Sequence, residues 1–359
     1  MNKRYNIRGL SLETIKRMNK LPAIVPSVTV ATKKIINAKK RFSKKEPVTS
    51  PKFFIKKDRP KNSFLTSLLD DVVRLNLPRK GSFNAGLAKF PGKNEYICVF
   101  RPDEYSFTAC ILTSSFQIKE NSYFKFNITN CADPRLIWVD ENRLLMVYSS
   151  TSEGGMRYEC IRGSIIMDLS KYDGFLNNPP FRISPRCDTR HKNWMPFMHD
   201  NKIYLIANVC PHIIYELKLN DNEFSSCEQV YENKWLNPWM FKEFLRGNTN
   251  SVLLEDGNYM STFHTASWYE KRCYYDNGAY IFEGKPPFKV LKCANRTYLP
   301  AEDAVEPHYR KAHILECVFP VGMVRQGENL YISYGDNDSC VKIMKTTVKK
   351  MTDLMLDVY

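Results

Sequence analysis

The chain has 359 residues, 43% of them hydrophobic and 13% aromatic, enough for a sizeable core in two ordinary domains or one large closed β fold. No apolar run approaches the roughly 20 residues a membrane span needs; Leu21–Ala31 is short and carries Pro22 and Pro26, so a soluble protein without a transmembrane segment is expected. The formal net charge of +15 argues against a basic body once it is located: residues 1–62 hold 18 Lys+Arg against 3 Asp+Glu, and the remainder is neutral.

Those first 62 residues read as a basic arm suited to an anionic surface, or simply solvated. One short helix is expected around Leu10, Ile15 and Met18. The arm is also basic and acid-poor like a targeting segment, which leaves organelle targeting open. The eleven cysteines are an odd count without a CxxC pair, and Cys98, Cys110 and Cys210 sit in apolar runs. That pattern fits reduced, buried thiols in a cytoplasmic protein rather than a disulfide framework.

Ser63–Leu75 has apolar spacing compatible with a helix packed on the body, ended by Pro78 and Gly81. We assign 63–80 to a helical or linking segment and 81–359 to the main domain. From there the chain is strands and turns. A first unit opens with Phe83-Asn84-Ala85-Gly86 and turns at Gly92-Lys93-Asn94. A second opens with Asp133-Pro134-Arg135 and turns at Asp140-Glu141-Asn142. A third opens with Lys192-Asn193-Trp194-Met195 and turns at His199-Asp200-Asn201. The fourth opens with Arg246-Gly247-Asn248-Thr249, and the fifth with Phe319-Pro320-Val321-Gly322, closing on Tyr334-Gly335-Asp336-Asn337-Asp338.

Five β-rich units with recurring polar openings predict an all-β, five-bladed β-propeller, each unit an antiparallel blade that cannot bury both faces alone. In a β-sandwich, the competing architecture, the openings would have no reason to recur in position. Each opening precedes its blade's first, innermost strand, so all five should ring one end of the axis. The ring would gather Asn84, Arg101, Asp133, Arg135, Lys192, Asn193, Arg246, Asn248, His264, Tyr334 and Asp338. Amides and carboxylates held still suit sugar hydroxyls, and converging cations suit an anion.

The ordered set FNAG, DPR, KNWMPF, RGNT, FPVG and YGDND resembles the β-mannoside phosphorylase family of five-bladed propellers, which includes β-1,2-mannosyltransferases, over about residues 80–347. The resemblance implies an inverting glycosyl-transferring enzyme. Its partners would be a carbohydrate together with phosphate, a sugar phosphate or a nucleotide sugar. It implies that Asp133 is the catalytic acid or base, that Arg101, Lys192, His264 and Arg246 serve the anion, and that Asn84 and Asp338 hold the sugar ring. Arg135, Asn193, Asn248 and Tyr334 are expected at the substrate as well. Bacterial members usually carry Glu before the Asp-Pro-Arg; Ala132 stands here, a departure that bears on sugar recognition.

An inverting hydrolase needs a second carboxylate to activate water, and Asp133 is the one well-placed candidate, with Asp338 reading as a ring-holding residue and Glu306 unassigned. Transfer is therefore favoured over a propeller glycosidase, with a non-catalytic glycan-binding propeller as the other alternative. Arg135 could equally brace a blade, and Trp138 and Trp194 read as blade core. Trp235 and Trp239 are stacking candidates or a hydrophobic plug, His212 a strand histidine with a local partner, and His308 and His313 flank an insert that could cover an acceptor. No histidine pair has metal-ligand spacing and no glycine-rich phosphate loop is present, so neither metal nor cofactor is expected.

Overall fold

The first strand, β1 (Asp71–Arg74), pairs with no strand near it in the chain. The computed structural model describes residues 67–359 apart from 70, 152–157, 168–179, 184–191, 221–222, 239–244, 270–271, 308–314 and 359. The basic arm, the short helix expected within it, Trp239, His308 and His313 lie outside the described residues.

The next strands fall into successive antiparallel sheets. Blade I is β2 (Phe83–Lys89), β3 (Tyr96–Arg101), β4 (Ser106–Leu112) and β5 (Phe124–Thr129). Blade II is β6 (Cys131–Trp138), β7 (Arg143–Thr151), β8 (Tyr158–Met167) and β9 (Phe181–Arg182). Blade III is β10 (Met195–His199), β11 (Lys202–Asn208), β12 (His212–Asn220) and β13 (Glu223–Asn233). In blade IV the innermost strand is split into β14 (Arg246–Gly247) and β15 (Val252–Leu253), followed by β16 (Tyr259–Tyr269), β17 (Arg272–Phe282) and β18 (Val290–Ala294). Blade V is β19 (Leu315–Gln326), β20 (Asn329–Asp336) and β21 (Cys340–Thr347).

The side-chain alternation of these strands closes the ring. Along β3, Ile97 and Val99 join a core shared with Leu136, Met146 and Tyr148 of blade II, whereas Tyr96, Cys98 and Phe100 join one shared with Val341 and Ile343 of blade V. Along β7, Leu145 and Val147 face Leu205 and Trp194 of blade III. Met195 and Phe197 meet Phe263 and Phe282 of blade IV, and Met260 and Ile281 meet Ile332 and Met344 of blade V. Five hydrophobic clusters thus fill five seams between blades, which makes the fold a five-bladed propeller. A period of two that buries both faces is what places the inner strands between neighbours rather than against solvent.

The N-terminal segment departs from the helical reading. Asp71–Arg74 is a strand that supplies the missing outer edge of blade V, in register from Asp71↔Lys345 to Arg74↔Lys342. Paired valines beside an open sheet edge gain more from ladder hydrogen bonds than from one helical turn. The propeller therefore starts before residue 81. At the other end a short helix, α1 (Val348–Thr352), is N-capped by Thr347, and β22 (Met355–Asp357) returns to pair with β18 of blade IV. The inner strands approach closely: a Cβ on Gly86 would stand 2.3 Å from the carbonyl oxygen of Pro134, so only glycine fits there.

Candidate active site

The openings of blades I, II and III share a backbone device. Asn84 (φ 49°), Asp133 (φ 57°) and Asn193 (φ 69°) are all left-handed, a conformation that Asn and Asp tolerate better than other side-chain-bearing residues. In blades I and II the ladder shifts register across this residue, between Phe83 and Gly86 and between Ala132 and Arg135. Such a bulge turns one side chain out of the strand's alternation. The recurrence of Asn and Asp at one station of the sequence is therefore a backbone requirement and a chemical one at once.

Asp133 is 3% exposed. Asn84 Nδ2 donates to its Oδ1 at 2.9 Å, and Arg101 Nη1 donates to the same oxygen at 3.1 Å. Burial pushes the carboxyl up, but Arg101, Lys192, Arg135 and the Asn84 bond together bring it below its ordinary value, so the group is an ionised carboxylate inside a cationic shell. Arg101 is fixed by a second bond, from Nη2 to the Glu104 carbonyl at 3.0 Å, and by the face of Phe83, 4.5 Å from ring centroid to guanidinium.

His264 stands across the ladder from Arg246. Its Nδ1 is 2.6 Å from Asn248 Oδ1; Asn248 Nδ2 donates to Asn277 Oδ1 at 3.0 Å, and Asn277 Nδ2 donates to the carbonyls of Leu299 and Val318. Reading the donors inward from those two carbonyls makes Asn248 Oδ1 an acceptor, so His264 Nδ1 carries the proton. Burial and then Arg246, Lys192 and Arg135 hold the imidazole well below its ordinary pKa, hence neutral. Lys192 and Arg135 bear on both His264 and Asp133, so blades II, III and IV converge on one place.

The remaining candidates divide. Asn193 is buried with neither amide atom partnered among the described residues; that is costly unless something it binds supplies the partners. Arg246 and Lys192 are half-buried at the same end of the ring. Asn248 serves chiefly to hold His264. Asp338 is half-buried in the left-handed turn Asn337–Asp338, and its charge reaches the buried Cys317 thiol, as does that of Asp133. Arg135 is fully buried; its Nη1 donates to the Asp133 carbonyl and its Nε to the Asn248 carbonyl, so its bonds serve the bracing role across blades II and IV. Tyr334 packs in the core between blades IV and V.

Two other carboxylates are committed elsewhere. Asp336 accepts from Lys342 Nζ at 2.7 Å and from the backbone of Val305 and Glu306, while Glu306 pairs with Arg74 at 2.8 Å and Lys342 at 3.6 Å. Trp138 and Trp194 lie in the seams between blades. Trp235 is half-buried with Nε1 bonded to the Val209 carbonyl at 2.8 Å, a plug. His212 is buried, bonded to the Phe288 carbonyl. No group of three His, Cys, Asp or Glu among the described residues is placed to hold a metal ion, and no described helix is long and apolar enough to cross a membrane. Sequence reading missed Asn277, whose role depends on a register no motif reveals, and Gly335, where a Cβ would stand 2.0 Å from Asn84 Oδ1.

A family model described as β-1,4-mannooligosaccharide phosphorylase matches residues 117–357. The chain belongs to glycoside hydrolase family 130. Among solved structures, the fold is similar to β-1,2-mannobiose phosphorylase from Listeria innocua in complex with β-1,2-mannobiose, at 13% identity over 81% of this chain and 94% of that one, with a TM-score of 0.54. It is also similar to MPT-1, a GDP-Man-dependent mannosyltransferase from Leishmania mexicana, at 14% identity over 79% and 90% of the two chains, TM-score 0.52. MPT-4, a mannose phosphorylase of the same organism in complex with phosphate ion, matches at 12% identity over 79% and 89%, TM-score 0.51. No curated protein matches in sequence. Family 130 contains mannoside phosphorylases and also glycoside hydrolases, so the site chemistry has to decide among activities.

Proposed function

We propose that this protein is an inverting β-mannoside phosphorylase, moving a mannosyl unit between a β-mannoside and inorganic phosphate, with Asp133 as the acid or base. The supporting observation is that Asp133 is a buried carboxylate held ionised inside a cationic shell, whereas Asp336 and Glu306 are tied to Lys342 and Arg74. A hydrolase of this stereochemistry would need a second carboxylate beside water; an ionised phosphate needs none.

In the proposed reaction hydrogen phosphate sits among Arg101, Lys192 and Arg246. Its negative charge counters the cations that hold Asp133 ionised, so the carboxyl's pKa rises and the proton the phosphate brings moves to Asp133. The bond from the anomeric carbon to the glycosidic oxygen breaks as a bond to a phosphate oxygen forms on the opposite face. Asp133 gives its proton to the leaving oxygen, directly or through a sugar hydroxyl. The products are mannose 1-phosphate and the free alcohol; in synthesis Asp133 takes the acceptor's proton. Asn84, Asn193 and Asp338 are the side chains assigned to the sugar hydroxyls.

The test is a donor screen with purified full-length protein and Asp133→Asn in parallel. Mannose 1-phosphate should form from β-mannobiose and phosphate with the wild type, and the variant should be about 10²- to 10⁴-fold slower. Release of mannose without phosphate, turnover of GDP-mannose alone, or equal rates for the two proteins would each reject this reading.

A further inference from the structure

The hairpin of β16 and β17 runs past the ring on the end where the site lies. Its register is unbroken from Tyr259↔Phe282 to Tyr269↔Arg272, so side chains alternate strictly between its faces. His264 and Trp268 therefore share one face. They are four positions apart, about 13 Å along the strand. Tyr275 stands between, stacked on His264 with ring centroids 4.9 Å apart. The indole of Trp268 is 67% exposed, the one exposed tryptophan among the described residues.

An exposed tryptophan offers a large, rigid apolar face with one polar handle, the kind of side chain enriched at binding surfaces. This one is not on a loose loop. β17 pairs with β16 on one side and, through Cys273–Tyr275, in parallel with Leu315–Cys317 of β19 on the other. The platform is thus held in a wall of three strands from two blades, preorganised relative to His264.

We propose that Trp268 is a stacking platform for the sugar chain beyond the reacting mannosyl unit, so that the enzyme prefers β-mannoside oligosaccharides to the disaccharide. This rests on the phosphorylase reading above and extends it to substrate length. The separation from His264 matches the reach of a short oligosaccharide rather than of one sugar. The chemistry also favours a sugar over a nucleotide base. The residue opposite Trp268 is Cys273; opposite its same-face neighbours stand Tyr275, stacked on His264, and Asn277, whose amide is taken up by Asn248 and the Leu299 and Val318 carbonyls. A pyranose needs a flat apolar face and can leave its hydroxyls in water, whereas a base would also ask for partners at its edge.

The experiment compares wild type, Trp268→Ala and Trp268→Tyr on β-mannobiose and on longer β-manno-oligosaccharides with phosphate, reading mannose 1-phosphate. The wild type should gain in kcat/KM with chain length. Trp268→Ala should lose that gain, about tenfold on the longer chains, with its rate on mannobiose unchanged, and Trp268→Tyr should keep most of it. An unchanged mannobiose rate also shows that the variant is folded. If Trp268→Ala slows mannobiose and long chains alike, or neither, the platform is wrong while the phosphorylase reading stands. If it weakens only the use of GDP-mannose, the platform serves a nucleotide and the proposal fails. No wild-type activity on any β-mannoside would overturn both.

Discussion

Asn84 and Asp133 occupy the same station in adjacent blades, both left-handed, and the amide of the first donates to the carboxylate of the second at 2.9 Å. The catalytic candidate is therefore held from the neighbouring blade. Any change that moves blade I relative to blade II acts on Asp133 without touching substrate.

Gly335→Ala tests that linkage. The added methyl would stand 2.0 Å from Asn84 Oδ1 and must displace it. Misplacing a supporting group by about an ångström costs on the order of a hundredfold in rate. Steady-state kinetics should show that loss with the thermal transition still cooperative.

Arg101→Met breaks a buried pair whose side chains are 11% and 4% exposed. Leaving Asp133 with one partner fewer should cost about 3–5 kcal/mol in denaturant unfolding. The carboxyl's folded pKa is depressed, so the pair contributes stability above the unfolded carboxylate value and loses it as pH falls through the folded one. Without Arg101 that pKa rises. The acid limb of the synthetic direction, where Asp133 acts as a base, should move to higher pH.

His212 sets a second pH dependence, unrelated to catalysis. Burial lowers its pKa to about 4, against the Phe288 carbonyl, which pulls the other way. The unfolded chain binds this proton more readily, so stability is full above the ordinary histidine value of about 6.5 and falls towards pH 4, by about 3 kcal/mol in all. A His212→Phe variant should flatten that part of a stability-versus-pH curve.

Removal of residues 1–62 should leave activity and Tm unchanged, because every strand of the five blades and every site residue named here comes after them in the sequence. Removal through Leu75 deletes β1, which blade V needs as its outer strand, and with it the Arg74–Glu306 pair and the buried Leu75. A marked fall in Tm is expected for the longer truncation in a thermal melt; equal melts for the two would show that β1 does not close the ring.

The openings of blades I and II were legible in the sequence because a left-handed bulge admits few residue types, and Asn84 and Asp133 recur there. Asp133 was legible for the same reason. Strand β1 was not: four residues with two valines carry no period, and its pairing partner lies near the other end of the chain. The split inner strand of blade IV was hidden likewise, since Asn248–Ser251 leaves the ladder to bond Thr262 and Pro196 carbonyls. Tyr334 and Arg135 looked like ring residues by position, yet a half-step of alternation sends the first into a seam, and a long side chain lets the second cross to Asn248. The commitment of Asp336 and Glu306 to Lys342 and Arg74 depends on side chains far apart in sequence, which no local pattern encodes.

The most direct test of the central claim is the product of β-mannobiose cleavage followed by ¹H and ³¹P NMR with and without phosphate. The account predicts α-mannose 1-phosphate formed mole for mole with released mannose, and no cleavage when phosphate is omitted. Two moles of free mannose per disaccharide in its absence, or a β-configured phosphate, would contradict it.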